Sequence, residues 1–139
     1  MKAVILAGGL GMRLRPFTEV IPKPLLPLGE KALLEIQIER LAKQGFADVY
    51  IALNYRSDYI RAYLGTGEKY GVRIHYSEEE KPLGTCGPLS LLKDALMEPF
   101  LLMNGDILTK ANLADILAFS RERPEVDLTI ATKKILTPL

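Results

Sequence analysis

The chain is poor in sulfur and imidazole, with one cysteine, Cys86, and one histidine, His75, in 139 residues. A single cysteine excludes an intramolecular disulfide framework and fits a reducing compartment, so the expected location is cytoplasmic. A nucleophilic thiol needs a base, and His75 lies eleven residues upstream in a predicted strand. Cys86 therefore reads as a small packing residue, and His75, with no second histidine to form a metal cluster, receives no role. Charge of neither sign dominates: 18 Lys and Arg face 17 Asp and Glu, for a net +1. Neither nucleic acid nor an anionic membrane surface is an expected partner. No apolar run approaches the roughly 20 residues that cross a bilayer. Met1-Lys2-Ala3 leads straight into a predicted strand rather than a secretory h-region.

The informative part is the first thirty residues. An apolar run, Ala3-Val4-Ile5-Leu6-Ala7, has the length of a strand buried on both faces. Gly8, Gly9 and Gly11 follow it, and glycines let backbone N–H groups approach a ligand closely. Arg13, Arg15 and Lys23 stand in the same loop. Bare backbone beside fixed positive charge suits a nucleotide and its phosphates. Two familiar phosphate loops fail here. A P-loop requires G-x-x-x-x-G-K-[ST], which does not follow the strand. A dinucleotide fingerprint requires a third glycine, a long helix and an acid closing the second strand. Gly9-Leu10-Gly11-Met12-Arg13-Leu14 lacks that glycine, Pro16, Pro22, Pro24 and Pro27 oppose the helix, and the second strand ends at Asn54.

Strand and helix alternate along the rest of the chain. Leu34, Ile38, Leu41 and Ala42 share a helical face opposite Glu35, Glu39, Arg40 and Lys43, and Gly45 ends the helix. Asp48–Leu53 reads as a strand. Ser57 is the expected N-cap of a short helix with Ile60, Tyr63 and Leu64 inward. Val72–Tyr76 reads as a third strand and about Gly87–Leu96 as a helix. Phe100–Met103 follows as a buried strand, then a helix marked by Leu113, Ile116 and Leu117, and a fifth strand over Asp127–Thr132. This order implies a three-layer α/β/α domain with a mostly parallel, Rossmann-like central sheet, whose ligands bind at the carboxyl ends of the strands.

Two further constellations fall at such strand ends. Gly84 and Gly87 lie in a loop leading from a strand to a helix start, where free N–H groups favour polar or anionic ligands. The neighbouring Glu78-Glu79-Glu80 reads, from its charge alone, as a solvated acidic loop. Met103-Asn104-Gly105-Asp106 ends a buried strand. Asp106 is either part of an Asx-turn or a ligand of a hard cation held jointly by carboxylate and phosphate oxygens.

Leu6 through Thr18 together with Pro22 through Gly29 resembles the signature of the sugar-1-phosphate nucleotidyltransferases, or NDP-sugar pyrophosphorylases, L-A-G-G-x-G-x-R-L-x-P-x-T followed by P-K-P-L-L-P-x-G. Pro82-Leu83-Gly84-Thr85-Cys86-Gly87 is similar to the family's P-L-G-T-A-G segment, with Cys86 in place of the commoner alanine. The resemblance implies a GT-A-like nucleotidyltransferase fold and a nucleotide held by Leu6, Ala7, Gly8, Gly9, Gly11, Glu79, Gly84 and Thr85. It implies Arg13, Lys23 and Asp106 as catalytic residues, with Asp106 also the ligand of Mg²⁺. The implied reaction joins a nucleoside triphosphate to a sugar-1-phosphate and releases pyrophosphate, for activated-sugar biosynthesis. The second segment leans toward mannose-1-phosphate with GTP, since an acid such as Glu79 can accept from guanine N1–H and N2–H₂.

Catalytic domains of that family extend well past this chain and supply a second metal-binding aspartate, which nothing near Asp115 or Asp127 matches. Residues 1–139 thus read as the nucleotide-binding N-terminal half of such a domain, truncated, with an open side that could form a homo-oligomer. Two rivals share the opening motif: a regulatory subunit that binds nucleotide without turnover, and an enzyme passing a cytidylyl group to a non-sugar alcohol phosphate. A regulatory subunit could lose Arg13, Lys23 or Asp106, and all three are present.

Overall fold

The computed structural model describes residues 1–8, 23–54 and 57–134. At its centre is β1 (Lys2–Leu6), whose Ala3, Val4 and Ile5 are fully buried, as an apolar run flanked on both sides requires. β4 (Asp48–Leu53), β5 (Arg73–Glu78) and β6 (Leu101–Asn104) complete a four-stranded sheet of order β5-β4-β1-β6, with every pairing parallel. A two-stranded antiparallel hairpin, β2 (Pro27–Leu28) with β3 (Lys31–Ala32), stands apart from it, turning at Gly29. From β1 the chain steps outward to β4 and β5, then returns to the opposite side of β1 as β6. The direction of winding reverses between β1 and β6. That reversal opens a crevice outside the carboxyl ends of these two strands.

The period-two alternation of the strands divides the core. Ala3, Ile5, Val49, Ile51, Leu53, Ile74, Leu101 and Met103 face one layer, built from α1 (Leu33–Lys43), α2 (Ser57–Leu64) and α3 (Leu113–Arg121). Leu34, Ile38 and Leu41 of α1, Ile60 and Leu64 of α2, and Leu113 and Leu117 of α3 pack against them. Val4 and Tyr50 face the other way, onto Leu92, Leu89, Leu96 and Phe100. α1 ends where the sequence indicates, at Gly45 with φ +85. Helix α3 is capped twice: Asn112 Oδ1 accepts from Asp115 N–H, and Gln44 Oε1 accepts from Leu113 N–H at 2.6 Å. Among the described residues, no helix is long and apolar enough to cross a membrane.

Several sequence expectations need correction. The expected strand over 127–132 does not form; Leu128 and Ile130 are each 71% exposed. Alternation supplies a pattern, but a strand also needs a neighbour for its backbone groups, and 127–132 pairs with none of the described strands. The expected helix over about 87–96 is a 3₁₀ helix limited to Gly87–Leu92. Ser90 Oγ donates to Gly87 O at 2.7 Å and so competes for a carbonyl of that turn. β5 runs on to Glu78, opposite Leu53, so that Glu78 belongs to a strand rather than to an acidic loop. Ser57 begins α2, but its hydroxyl donates to Glu78 Oε1 at 2.7 Å. Tyr63, expected inward, is exposed, and its hydroxyl donates to Glu35. Cys86, expected to pack, is exposed at the turn before the 3₁₀ helix.

Candidate functional site

The crevice between β1 and β6 brings together two residues singled out from the sequence. Lys23 opens a short 3₁₀ helix (Lys23–Leu25) ahead of the hairpin, and its Nζ lies 2.6 Å from Asp106 Oδ2. Both side chains keep contact with solvent, at 31% and 46% exposure. An anionic ligand can therefore reach the lysine, and a cation the carboxylate. The 3₁₀ helix is tied to the scaffold by its backbone: Leu26 N–H donates to Lys23 O, and Leu33 N–H, at the start of α1, donates to Leu26 O, each at 3.1 Å.

Asp106 is placed by the turn that ends β6. Gly105 N–H donates to Leu6 O at 2.8 Å, extending the ladder to β1 by one bond. A Cβ at Gly105 would stand 3.1 Å from Leu6 O and 3.4 Å from Ala7 Cα, so the absent side chain lets the turn close onto β1. On the other side, Gln37 of α1 donates from Nε2 to Asn104 O and Ile107 O. Sequence reasoning passed over Gln37, a polar residue on the apolar face of its helix. That mismatch between residue type and face was the one signal available.

The remaining candidates divide by position. Leu6 ends β1 and packs beside the Val4 and Tyr50 cluster, and Ala7 N–H donates to Ala52 O at 2.9 Å. Their backbone groups thus continue the sheet up to Gly8, where a Cβ would press on the Asn54 side chain at 2.9 Å. Gly9, Gly11, Arg13 and Arg15 lie outside the described residues. Glu79, Gly84 and Thr85 follow β5, at the same end of the sheet but two strands away from β1. Glu79 Oε2 accepts from Leu83 N–H at 2.6 Å, and Gly84 takes φ +80. At least one oxygen of Glu79 therefore shapes the loop that carries Gly84 and Thr85.

A strongly perturbed carboxyl lies at the other end of the sheet. Asp48 opens β4, where Arg73 bonds both its oxygens at 2.8 Å and His75 Nε2 lies 2.9 Å away. The Arg73 hydrogen bonds hold its carboxyl far below the usual range against the opposing effect of burial, with His75 adding to the lowering. At the amino end of a parallel sheet this cluster ties β4 to β5 rather than facing the crevice. Among the described residues, no group of three or more His, Cys, Asp or Glu is arranged to hold a metal.

A sequence model of the nucleotidyl transferase family matches residues 2–138. A mannose-1-phosphate guanylyltransferase catalytic subunit beta from Dictyostelium discoideum is 45% identical over 136 residues, covering 96% of this chain and 38% of that protein. Among solved structures, a putative glucose-1-phosphate thymidylyltransferase from Bacillus anthracis, in complex with sucrose, superposes with a TM-score of 0.80 at 28% identity. The match covers 88% of this chain and 51% of that one. HddC from Yersinia pseudotuberculosis, complexed with GMP-PN, gives 0.76 at 30% identity, over 86% and 53%. The chain thus spans well under two thirds of each of these relatives. From its opening strand to its last residues, this chain belongs to the nucleotidyl transferase family.

Proposed function

We propose that this chain is the nucleotide- and phosphate-binding N-terminal half, residues 1–139, of an enzyme that joins a nucleoside triphosphate to a sugar-1-phosphate. The products are an NDP-sugar and pyrophosphate. The observation that carries the reading is the Lys23–Asp106 pair at the reversal crevice, immediately beyond the glycine-bearing end of β1. GTP and mannose-1-phosphate are the proposed substrates, supported by a 45% identical relative named for that activity. The product would serve activated-sugar and surface-polysaccharide synthesis in the cytoplasm.

In the proposed reaction an oxygen of the sugar phosphate attacks the α-phosphorus. An O–P bond forms, the bond to the bridging oxygen breaks, and pyrophosphate leaves with its electron pair. The nucleophile is already an anion at neutral pH, so no base is required. What the chain must supply is neutralisation of charge and in-line placement. Lys23 lies between the α-phosphate and the incoming sugar phosphate, lessening their repulsion. Arg13 takes the charge that develops on the pyrophosphate. Gly8, Gly9 and Gly11 offer backbone N–H groups to the phosphates, while Gly84, Thr85 and Glu79 hold the nucleoside.

The donor set at Asp106 fits Mg²⁺. A single accessible carboxylate beside a phosphate-binding lysine suits a hard cation that draws its other ligands from phosphate and water. Bound there, Mg²⁺ would neutralise phosphate charge, with Asp106 as its protein ligand. The test is pyrophosphate release across a matrix of nucleoside triphosphates and sugar-1-phosphates with Mg²⁺, for this chain, for any longer form of the protein, and for Asp106→Asn. Turnover confined to one pair, and lowered at least about 100-fold by the substitution, is expected. Nucleotide binding without turnover in every form would overturn the enzyme reading in favour of a regulatory module.

A further inference from the structure

We infer that Gln37 is the positioning residue for Asp106, and that α1 is the common frame on which both charged groups of the crevice are mounted. The inference rests on the proposed transfer reaction and deepens it by naming a residue that touches neither substrate nor metal. Gln37 is 2% exposed, on the helix face it shares with Leu34, Ile38 and Leu41. Burying an amide there is costly unless its donors are used. Nε2 donates to Asn104 O at 3.0 Å and to Ile107 O at 2.6 Å, the carbonyls on either side of Gly105-Asp106. Oε1 has no hydrogen-bond partner among the described residues, so the side chain is retained by its two donors.

The turn needs that grip. Its own closing bond, Ile107 N–H to Asn104 O, is long at 3.3 Å, and Gly105 N–H to Leu6 O fixes only its first half. Beyond the turn, Leu108 is exposed and the Asp106 side chain is 46% open to solvent. Gln37 clamps the turn from beneath at both ends. The same helix receives, at Leu33, the backbone bond that anchors the Lys23 segment. One rigid element therefore sets the separation of a lysine and an aspartate that lie 83 positions apart. Partners of a metal ligand that act from behind it typically change metal affinity or activity by about 10- to 100-fold.

The experiment uses the longest available form of the protein with Gln37→Met, which keeps length and burial but lacks the donors, and Gln37→Leu as a second replacement. Three readouts are taken: amide exchange at Gly105 and Ile107, affinity for Mn²⁺ alone, and kcat and KM in the wild-type and Asp106→Asn backgrounds. The expected result is faster exchange at both amides, Mn²⁺ binding weakened about tenfold, and kcat lowered about 10-fold or more with nucleotide KM little changed. In the Asp106→Asn background the Gln37 substitution should have little further effect on residual turnover. Unchanged exchange and Mn²⁺ affinity in a folded variant would overturn the assignment. So would equal losses of kcat in both backgrounds, which indicate a general structural role. If the unsubstituted protein turns over no substrate pair, the transfer reading fails by itself, and exchange with Mn²⁺ affinity still decides whether Gln37 places Asp106.

Discussion

Lys23 Nζ and Asp106 Oδ2 meet as an ion pair at 2.6 Å across the mouth of the β1–β6 crevice. In the proposed reaction these charges serve different masters, the lysine a phosphate and the aspartate a cation. Ligand binding must then exchange one ion pair for two new ones. Both partners are accessible, and an exposed pair is worth only ~1 kcal/mol or less, so the exchange is cheap.

Replacing Lys23 by Gln should therefore act in opposite directions on two quantities. Turnover should fall about 100-fold or more through loss of phosphate neutralisation. Affinity for Mn²⁺ in the absence of nucleotide should rise, up to about fivefold, the equivalent of ~1 kcal/mol, because one cation that competes for Asp106 is removed. Spin-label-free electron paramagnetic titration of Mn²⁺, alongside steady-state kinetics, checks both. A fall in both quantities would show that Lys23 builds the metal site rather than competing for it.

Glycine substitutions at the two strand ends should separate backbone crowding from side-chain crowding. At Gly105 the added methyl meets Leu6 O and Ala7 Cα, atoms of the central strand that cannot swing aside. Gly105→Ala should displace the turn by a few tenths of an ångström and lower kcat by at least about tenfold, given how steeply rate depends on placement. At Gly8 the methyl meets the side chain of Asn54, which is exposed and can rotate. Gly8→Ala should consequently leave thermal stability nearly unchanged. Equal thermal destabilisation of the two variants would contradict this distinction.

How much was legible follows from which contacts are local. The burial of β1, the helical face of α1 and the stop at Gly45 are written in adjacent residues, and each appears where the pattern puts it. The Asp127–Thr132 alternation is just as regular, yet it forms no strand, because pairing depends on a neighbour that periodicity cannot supply. The glycine and proline motif marked the first loop through its spacing. Spacing could not disclose that Lys23 reaches Asp106, or that Gln37 turns its amide under the Asn104–Ile107 turn, since those partners lie 83, 67 and 70 positions away.

Glu79 offers a clean choice between loop support and base reading. Its Oε2 already accepts from Leu83 N–H. In Glu79→Gln an amide oxygen can replace that acceptor, while the negative charge that would face guanine N1–H and N2–H₂ is lost. A base reader should then lose discrimination between GTP and ATP, by about 10-fold or more in the ratio of kcat/KM, with the loop intact. If Glu79→Gln retains full discrimination and Glu79→Ala lowers activity with every base alike, the residue only braces the Gly84 loop.

Acid stability should carry the signature of Asp48. Its carboxyl is held low chiefly by the two Arg73 hydrogen bonds, with His75 contributing and partial burial opposing. The folded value lies below the ~3.9 of an unfolded aspartate, so between the two the unfolded chain binds more protons. The stabilisation is thus complete above about pH 5 and drains away as pH falls through and below ~4. Arg73 is largely exposed, and solvent screening keeps the gain on the order of 1 kcal/mol. Asp48→Asn should accordingly unfold at lower urea than the parent near pH 7, and the gap should narrow by about pH 3. Parallel urea midpoints across that range would mean that the β4–β5 edge owes its stability to packing of Val49, Ile51 and Ile74 and not to this carboxylate.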